Sequence, residues 1–590
     1  MKLSTRPRRL SRELDLGEPV IAGDGQVVMR RPPPPPRRRR LVWALPVAAV
    51  ALLGSAWLAM VANHALRSRS DALAAVHDLE ALRAGVNVTD PDFEQIQSRL
   101  DSSAAHLESA RRRMRAGWMA PLRPLPVVGR QLSSFDHLAS SGATIASSMS
   151  ELTREGRELE TRFDDGAASP IAALNELSAA AGRAAAEIEG ADLGPSSGLA
   201  PQLANAHTRL SGERADLVDG LRRLSDAAAG VAVFLDDKRY LVLAGNPSEM
   251  RVGAGMILQV GTLATDGSAH PSLGGISSVG ALQPGFAPSV DEHVTDNWRW
   301  LLPAVTWQNM AITPRFQIVA QEALAMWNST APDPAEGALF VDPLAMQALL
   351  RATGPVSVEG REITADNVLA FLGHGQYVEL DAASAQRREL LAELTQTVLA
   401  AAKDRKITPL ALVRALQPAV EGRHIRAFAL DEAQQRGWRA LGLEASAGPN
   451  DLVVSLSNHA ANKMDWWLQV TADLALTRTK DGTIEGVLTV EAANTIPDGE
   501  PPYVSQTLNN DGSKDPRYGR YVGLVVMTLP GRAKGLRMDG YARPDRKPLP
   551  QQQQLALLTR AKVIVVDGLD GANRVMAAPF VTDQAKATPL

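Results

Sequence analysis

In RYLVLAGNPSEMRVGAGM, residues Arg239 to Met256, an apolar run delivers the chain into a turn that holds Asn246, Glu249 and Arg251. A short aliphatic run bounded by glycine predicts a buried strand. The next stretch, GMILQVGTLATDG (Gly255 to Gly267), alternates or runs apolar up to an Asp-Gly turn and predicts a second strand. Gly253 and Gly255 flank Ala254, an arrangement that lets the backbone here come close to something. A turn at the carboxyl end of a strand is the usual ligand position in open α/β sheets. Asn246, Glu249, Arg251, Gly253 and Gly255 are therefore candidate site residues. The same residues also read as scaffold, with Asn246 capping the turn and Glu249 pairing with Arg251.

Downstream, predicted strands and helices alternate. A helix covers Phe316 to Trp327, a strand Ala338 to Val341, a helix Pro343 to Ala352, and a strand follows Gly354-Pro355. Thr364 and Asp366 are placed to cap a helix through Leu372, Asp381 to start a longer one reaching about Ala402, and HIRAFAL (His424 to Leu430) adds a strand. This alternation predicts an α-β-α sandwich over residues 236–445. The Gly/Ser/Pro-rich stretch Ser268 to Ser289 reads as a loop over a site.

Residues 67–235 have another texture, rich in Ala, Ser, Leu, Arg and Glu, with apolar positions such as Leu73, Val76, Leu79 and Leu82 at helical spacing. Helices are expected over about 131–162, 169–188 and 201–229, with PLRPLPVVGR (Pro121 to Arg130) breaking the first set from the next. The result is a helical stalk or bundle. Residues 446–580 predict a β-rich sandwich: Leu468, Val470, Ala472, Leu474 and Leu476 share one face, and Ile484, Leu488 and Val490 share another across Lys480-Asp481-Gly482. A polar tail, 581–590, is expected to fray.

The amino-terminal end decides location. Residues 1–40 carry eleven Lys/Arg against four Asp/Glu, a net +7 in a chain whose total is −3. With its proline run this basic arm is expected to be disordered and cytoplasmic. From Leu41 to Ala62 no residue is charged, and 22 residues at ~1.5 Å each give about 33 Å, enough to cross a bilayer. Arginines 37–40 precede the span, so the positive-inside rule places the bulk of the chain outside the cytoplasm. A cleaved signal peptide is the competing reading. The expected location is the cell membrane, single-pass, with membrane lipid as a partner.

Zero cysteines exclude disulfides and thiolate chemistry. The ten histidines are scattered singly, and neither a Walker loop nor a complete dinucleotide fingerprint is present. GGISSVG (Gly274 to Gly280) has one residue too many for a nucleophile elbow. Nucleic acid is not an expected partner.

Two stretches, LVLAGNPSEMRVGAG and FVDPLAMQALLRATGPVSVEGREITADNVLAFL (Phe340 to Leu372), resemble the bacterial membrane-anchored family that carries domain of unknown function 4012. LPVVGRQL (Leu125 to Leu132), NKMDWWLQV (Asn462 to Val470) and AANTIPDGEPPYV (Ala492 to Val504) extend the resemblance over roughly 120–580. More distantly, the order of strand-turn, DPLAMQALLRATGPVSV and DAASAQRREL (Asp381 to Leu390) is similar to the LytR-CpsA-Psr glycopolymer transferases. That similarity implies a magnesium-dependent phosphotransferase acting on a polyprenyl-diphosphate-linked glycan, with peptidoglycan as acceptor. It would make Arg251, Arg387 and Arg388 phosphate contacts and Glu249 and Asp381 metal ligands, with Arg251, Glu249 and Asp381 as the catalytic set. The mundane alternative for Arg387 and Arg388 is a solvated helix face.

The expectation is thus a membrane-anchored protein of bacterial cell-envelope assembly that binds or transfers a lipid-linked glycopolymer. The competing class is a non-catalytic scaffold binding envelope proteins or wall polymer.

Overall fold

The computed structural model describes residues 18–21, 27–30, 92–115, 123–164, 169–267, 271–282, 291–303, 306–380, 385–404, 409–508, 513–541 and 563–589. The expected membrane span, the helix expected around Leu73 to Leu82, and Asp381 lie outside these residues. Among the described residues no helix is long and apolar enough to cross a membrane.

Four helices form the bundle: α1 Phe93–Met114, α2 Pro126–Asp164, α3 Pro170–Gly190 and α4 Pro201–Leu235. Asp92 and Ser169 cap α1 and α3 by accepting from the Gln95 and Ala172 amides, and prolines open α2, α3 and α4, where a missing N–H costs nothing. Ion pairs fix the antiparallel order. Arg157 near the end of α2 meets Glu94 at the start of α1, and Arg162 meets Glu176 at the start of α3. Leu100, Leu107, Phe135, Leu138, Ile145, Ile188, Leu203 and Leu210 share the core. One end of the bundle holds residues 92, 164, 169–170 and 235; the other holds 115, 123–126 and 191–200.

The end of α4 feeds straight into a mixed sheet ordered β10-β7-β3-β4-β5, with β6 also on β4. Its strands are β3 Arg239–Met250, β4 Gly255–Ala264, β5 Ser272–Leu273, β6 Ser277–Ser278, β7 Gly337–Val341 and β10 Ile425–Ala429. β3 and β7 are parallel and the other pairs antiparallel. Within the stretch expected as a loop over a site, Ser272–Leu273 and Ser277–Ser278 instead pair with β4 at the edge of this sheet.

Helices cover both faces of the sheet. Phe316, Val319, Ala320 and Ala323 of α6 (Phe316–Asn328) pack on Leu241, Leu243, Ile257, Ala338 and Phe340. On the other face Ala427, Ala429 and Leu339 meet Val231 and Phe234 of α4 and Trp438 of α10 (Glu432–Ala440). There α4 and α10 cross at two glycines: a Cβ on Gly230 would stand 2.6 Å from the Gly437 Cα. Other helices here are α5 Glu292–Trp298, α7 Pro343–Thr353, α8 Ala385–Asp404 and α9 Pro409–Glu421, with short helical turns over Val368–Glu379 and a small hairpin of β8 Val356–Val358 and β9 Arg361–Ile363.

The C-terminal residues form two antiparallel sheets. One is ordered β11-β14-β16-β15, from Val453–Asn458, Tyr521–Leu529, Asn573–Thr582 and Val566–Asp570; the other is β12-β13-β17, from Leu468–Arg478, Ile484–Asn494 and Ala587–Pro589. Val470, Ala472, Leu488, Val490 and Ala492 pack face to face on Leu456, Tyr521, Val525, Ala578 and Phe580. The tail expected to fray is a strand instead, since Ala587, Thr588 and Pro589 pair with Ala493, Ala492 and Glu491.

The outer face of the four-stranded sheet is not solvated. Val522, Leu524, Val526, Val575 and Ala577 pack on Val252, Val294, Trp298, Trp300 and Ile312, so the α/β and β-rich parts share one core. That double burial explains why YVGLVVMTL reads as continuously apolar rather than alternating.

In the arm expected to be disordered, β1 Glu18–Ile21 and β2 Val27–Arg30 pair as a hairpin, and β2 lies beside β13.

Candidate functional site

The β3 strand does not end cleanly. Its pairing with β4 shifts register between Ala244 and Gly245 and again between Asn246 and Met250, so Pro247, Ser248 and Glu249 are pushed out of the ladder. The expelled residues land on elements far away in the chain.

Asn246 Nδ2 donates to Tyr377 Oη at 2.8 Å, and its Oδ1 accepts from the Ser248 amide. Ser248 Oγ donates to the Gly373 carbonyl at 2.7 Å. Glu249 reaches Lys463, with Oε1 2.7 Å from Nζ and both side chains buried. The same ammonium lies 4.7 Å from the centre of the Tyr503 ring and 5.7 Å from that of Tyr377. Arg251 is only 6% exposed. Its Nη1 donates to the carbonyls of Met250 at 2.9 Å and Asn458 at 2.8 Å, and its Nε donates to Asn309 Oδ1 at 3.3 Å.

Asp465 closes the arrangement. Its carboxylate accepts from the Met250 amide at 3.2 Å, Asn458 Nδ2 at 2.6 Å and Tyr521 Oη at 2.9 Å. Burial pushes this carboxyl up to about 6, against the pull of these hydrogen bonds and of Arg251. Burial, aided by Arg251, drives the neighbouring His459 down to about 3, so its imidazole is neutral. Its Nε2 lies 3.2 Å from Ser457 Oγ and its ring is stacked on Trp300. Burial also pulls Arg251 down, while Glu249 and Asp465 hold it up.

The two glycines have a protein partner. A Cβ on Gly253 would stand 2.1 Å from the Thr313 carbonyl oxygen, and one on Gly255 2.3 Å from the Asn246 carbonyl carbon. Gly253 N donates to the Ala311 carbonyl at 2.8 Å, and its own carbonyl accepts from Arg426. The close backbone approach anticipated for a ligand is filled by residues 311–313 and by the turn itself.

A second polar cluster joins the same two parts of the chain. Arg315 Nε donates to Asp570 Oδ1 at 2.7 Å and its Nη2 to Asp291 Oδ1 at 2.8 Å, while Thr313 Oγ1 donates to Asp570 Oδ2 at 2.6 Å. Nearby Glu322 is buried with no hydrogen-bond partner on Oε1, and burial pushes it up to about 8.

The candidate residues thus divide. Asn246, Glu249, Arg251, Gly253 and Gly255 meet at one place, but Glu249 is paired with Lys463 rather than with Arg251. Arg387 and Arg388 lie in the first turn of α8, and Asp381 lies outside the described residues. Glu249, expected as a metal ligand, has its Oε1 on the Lys463 ammonium. Among the described residues no group of three or more His, Asp or Glu side chains is placed to hold a metal ion.

Sequence reasoning missed Tyr377, Asn458, Lys463, Asp465 and Tyr521 as partners of the turn. The signal was present: NKMDWWLQV and AANTIPDGEPPYV supply Lys463, Asp465 and Tyr503, but nothing in spacing says that they reach back over two hundred residues.

No curated protein and no solved structure shows a significant match to this chain. Residues 236–377, from the end of α4 to the tyrosine that Asn246 holds, match the family described as protein of unknown function DUF4012.

Proposed function

We propose that the protein is a membrane-anchored, extracytoplasmic scaffold of the bacterial cell envelope, one that binds partner proteins or wall polymer and does not transfer a glycan. The observation that carries this reading is the commitment of the Asn246–Arg251 turn to the protein itself. Phosphoryl transfer needs cationic donors and acids facing a substrate. Here the Arg251 guanidinium is bonded to two carbonyls and an amide, and Glu249 is neutralised by Lys463. A buried ion pair that joins two structural units supports a positioning role. The uncharged stretch 41–62 behind a basic arm supports the anchor.

Two measurements test the reading. The full chain in nanodiscs is titrated with a short-chain polyprenyl diphosphate in magnesium and in chelator, with product release followed in parallel. No magnesium-dependent binding and no turnover is the expected result. Magnesium-dependent binding with turnover would restore the transferase, and with it the expected roles of Asp381, Arg387 and Arg388. Topology is read by labelling single cysteines on the arm and in β13 from each side of the membrane. The span at 41–62 puts them on opposite sides, which is the expected result; labels on the same side, as the hairpin's place beside β13 requires, overturn the anchor.

A further inference from the structure

The far end of the bundle is built with care around an exposed apolar prong. In PLPVVGRQL the chain at Arg123 folds back over the first turn of α2 so closely that a Cβ on Gly129 would stand 1.9 Å from the Arg123 carbonyl oxygen. The Gly129 amide donates to the Leu125 carbonyl at 2.7 Å. Arg130 Nη1 donates to the Ser197 carbonyl, and Gln131 bridges the same loop, donating to the Gly198 carbonyl at 2.9 Å and accepting from the Ala200 amide at 2.9 Å. These contacts fix residues 123–127, yet Leu125 stays 47% exposed and Val127 71% exposed.

The charge around the prong is predominantly basic. From Ser109 to Phe135 the sequence holds six arginines, Arg111, Arg112, Arg113, Arg115, Arg123 and Arg130, and no acidic residue. Asp136 binds Arg111 and Arg115, Glu108 also binds Arg111, and Asp192 lies 3.1 Å from His137. Arg112, Arg123 and Arg130 are exposed. Apolar side chains fixed at a surface and ringed by arginines match an anionic bilayer surface, where the apolar groups enter the headgroup boundary and the guanidiniums meet phosphates.

The chain length agrees. The 29 residues between Ala62 and Asp92 would span about 44 Å if fully helical and more if extended, which exceeds the roughly 33 Å of α1. A chain leaving the bilayer at residue 62 can therefore start α1 at the end of the bundle away from the membrane and still leave the 123–127 tip at the membrane.

We propose that the Arg123–Val127 tip docks on anionic phospholipid beside the anchor, so that the bundle rests on the membrane through two points. This rests on the reading of 41–62 as a span, and the test separates the two.

Because the chain has no cysteine, single spin labels can be placed at Val127, at Thr161 on the opposite end of α2, and at Ala51. The full chain is incorporated in nanodiscs of phosphatidylcholine alone or with phosphatidylglycerol, and accessibility to oxygen and to a water-soluble nickel chelate is read. Expected is a lipid signature at 51 in both discs, water at 161 in both, and a lipid signature at 127 in the anionic discs that Arg112→Glu/Arg123→Glu abolishes. Label 51 in lipid with 127 in water in both discs overturns the docking and leaves the span standing. Labels 51 and 127 both in water overturn both. Protection of 127 only in native membranes, not in nanodiscs, overturns it in favour of a protein partner.

Discussion

Lys463 Nζ stands 2.7 Å from Glu249 Oε1 across a junction that the sequence separates by more than two hundred residues, and both side chains are buried. One lies in the bulge near the end of β3, the other between β11 and β12 of the β-rich part. The pair is a measure of how firmly the two are joined.

Breaking it from one side leaves a charge buried without its partner. Lys463→Met or Glu249→Gln alone is expected to lower stability by about 3–5 kcal/mol. The double variant Glu249→Gln/Lys463→Met is expected to recover a good part of that loss, because no lone charge remains. Denaturant midpoints of the three variants, with the coupling energy from the cycle, check this.

The pH dependence of stability should contain two opposing contributions at this junction. Asp465 titrates at about 6 when folded against 3.8 unfolded, so the folded state holds its proton longer and stability falls as pH rises from about 4 to 6. His459 titrates at about 3 when folded against 6.5 unfolded, so stability rises with pH over the same window. Asp465→Asn should leave the rise, and His459→Gln the fall, with slopes up to about 1.4 kcal/mol per pH unit. Chemical denaturation at half-unit steps between pH 4 and 6.5 distinguishes the pattern; parallel slopes in the two variants would contradict it.

Glu322 offers a cleaner case. Its carboxyl, pushed up to about 8 by burial, remains protonated in the fold while the unfolded chain ionises above 4.5, so stability is lost as pH climbs from 4.5 towards 8. Glu322→Gln removes that loss. The variant should match the parent near pH 5 and exceed its melting temperature progressively up to pH 8.

The glycines at the turn are steric requirements. Gly253→Ala would set a Cβ 2.1 Å from the Thr313 oxygen, while Gly275→Ala meets nothing within 4 Å. The first is expected to cost at least about 1–3 kcal/mol, as overpacking does, and the second close to nothing. Thermal melts of the two variants, run side by side, give the comparison.

Much of the fold was legible because it is written in local periodicity. Helical spacing marked the bundle from about residue 131, although the stretch 121–130, read as a break, already opens α2 at Pro126, and the Lys480-Asp481-Gly482 turn marked the β12–β13 hairpin. Misreadings came where tertiary burial overrides local polarity. The tail reads as polar and frays by composition, yet backbone pairing to β13 holds Ala587–Pro589. The stretch Ser268 to Ser289 reads as loop, yet its Ser272–Leu273 and Ser277–Ser278 segments add to the edge of β4.

The sequence by itself determined the order of parts: a basic arm, an uncharged stretch long enough for a bilayer, helices, alternating strands and helices, then β-strands. It also singled out Asn246, Glu249 and Arg251 as unusual, because polar residues ending an apolar strand need partners. Which partners they have was decided only in three dimensions. A buried charge must be neutralised by whatever the fold brings within reach, and the register shift in β3 aims Glu249 at Lys463 and leaves Arg251 against the Asn458 carbonyl. Local sequence carries the need for a partner; chain topology alone selects it.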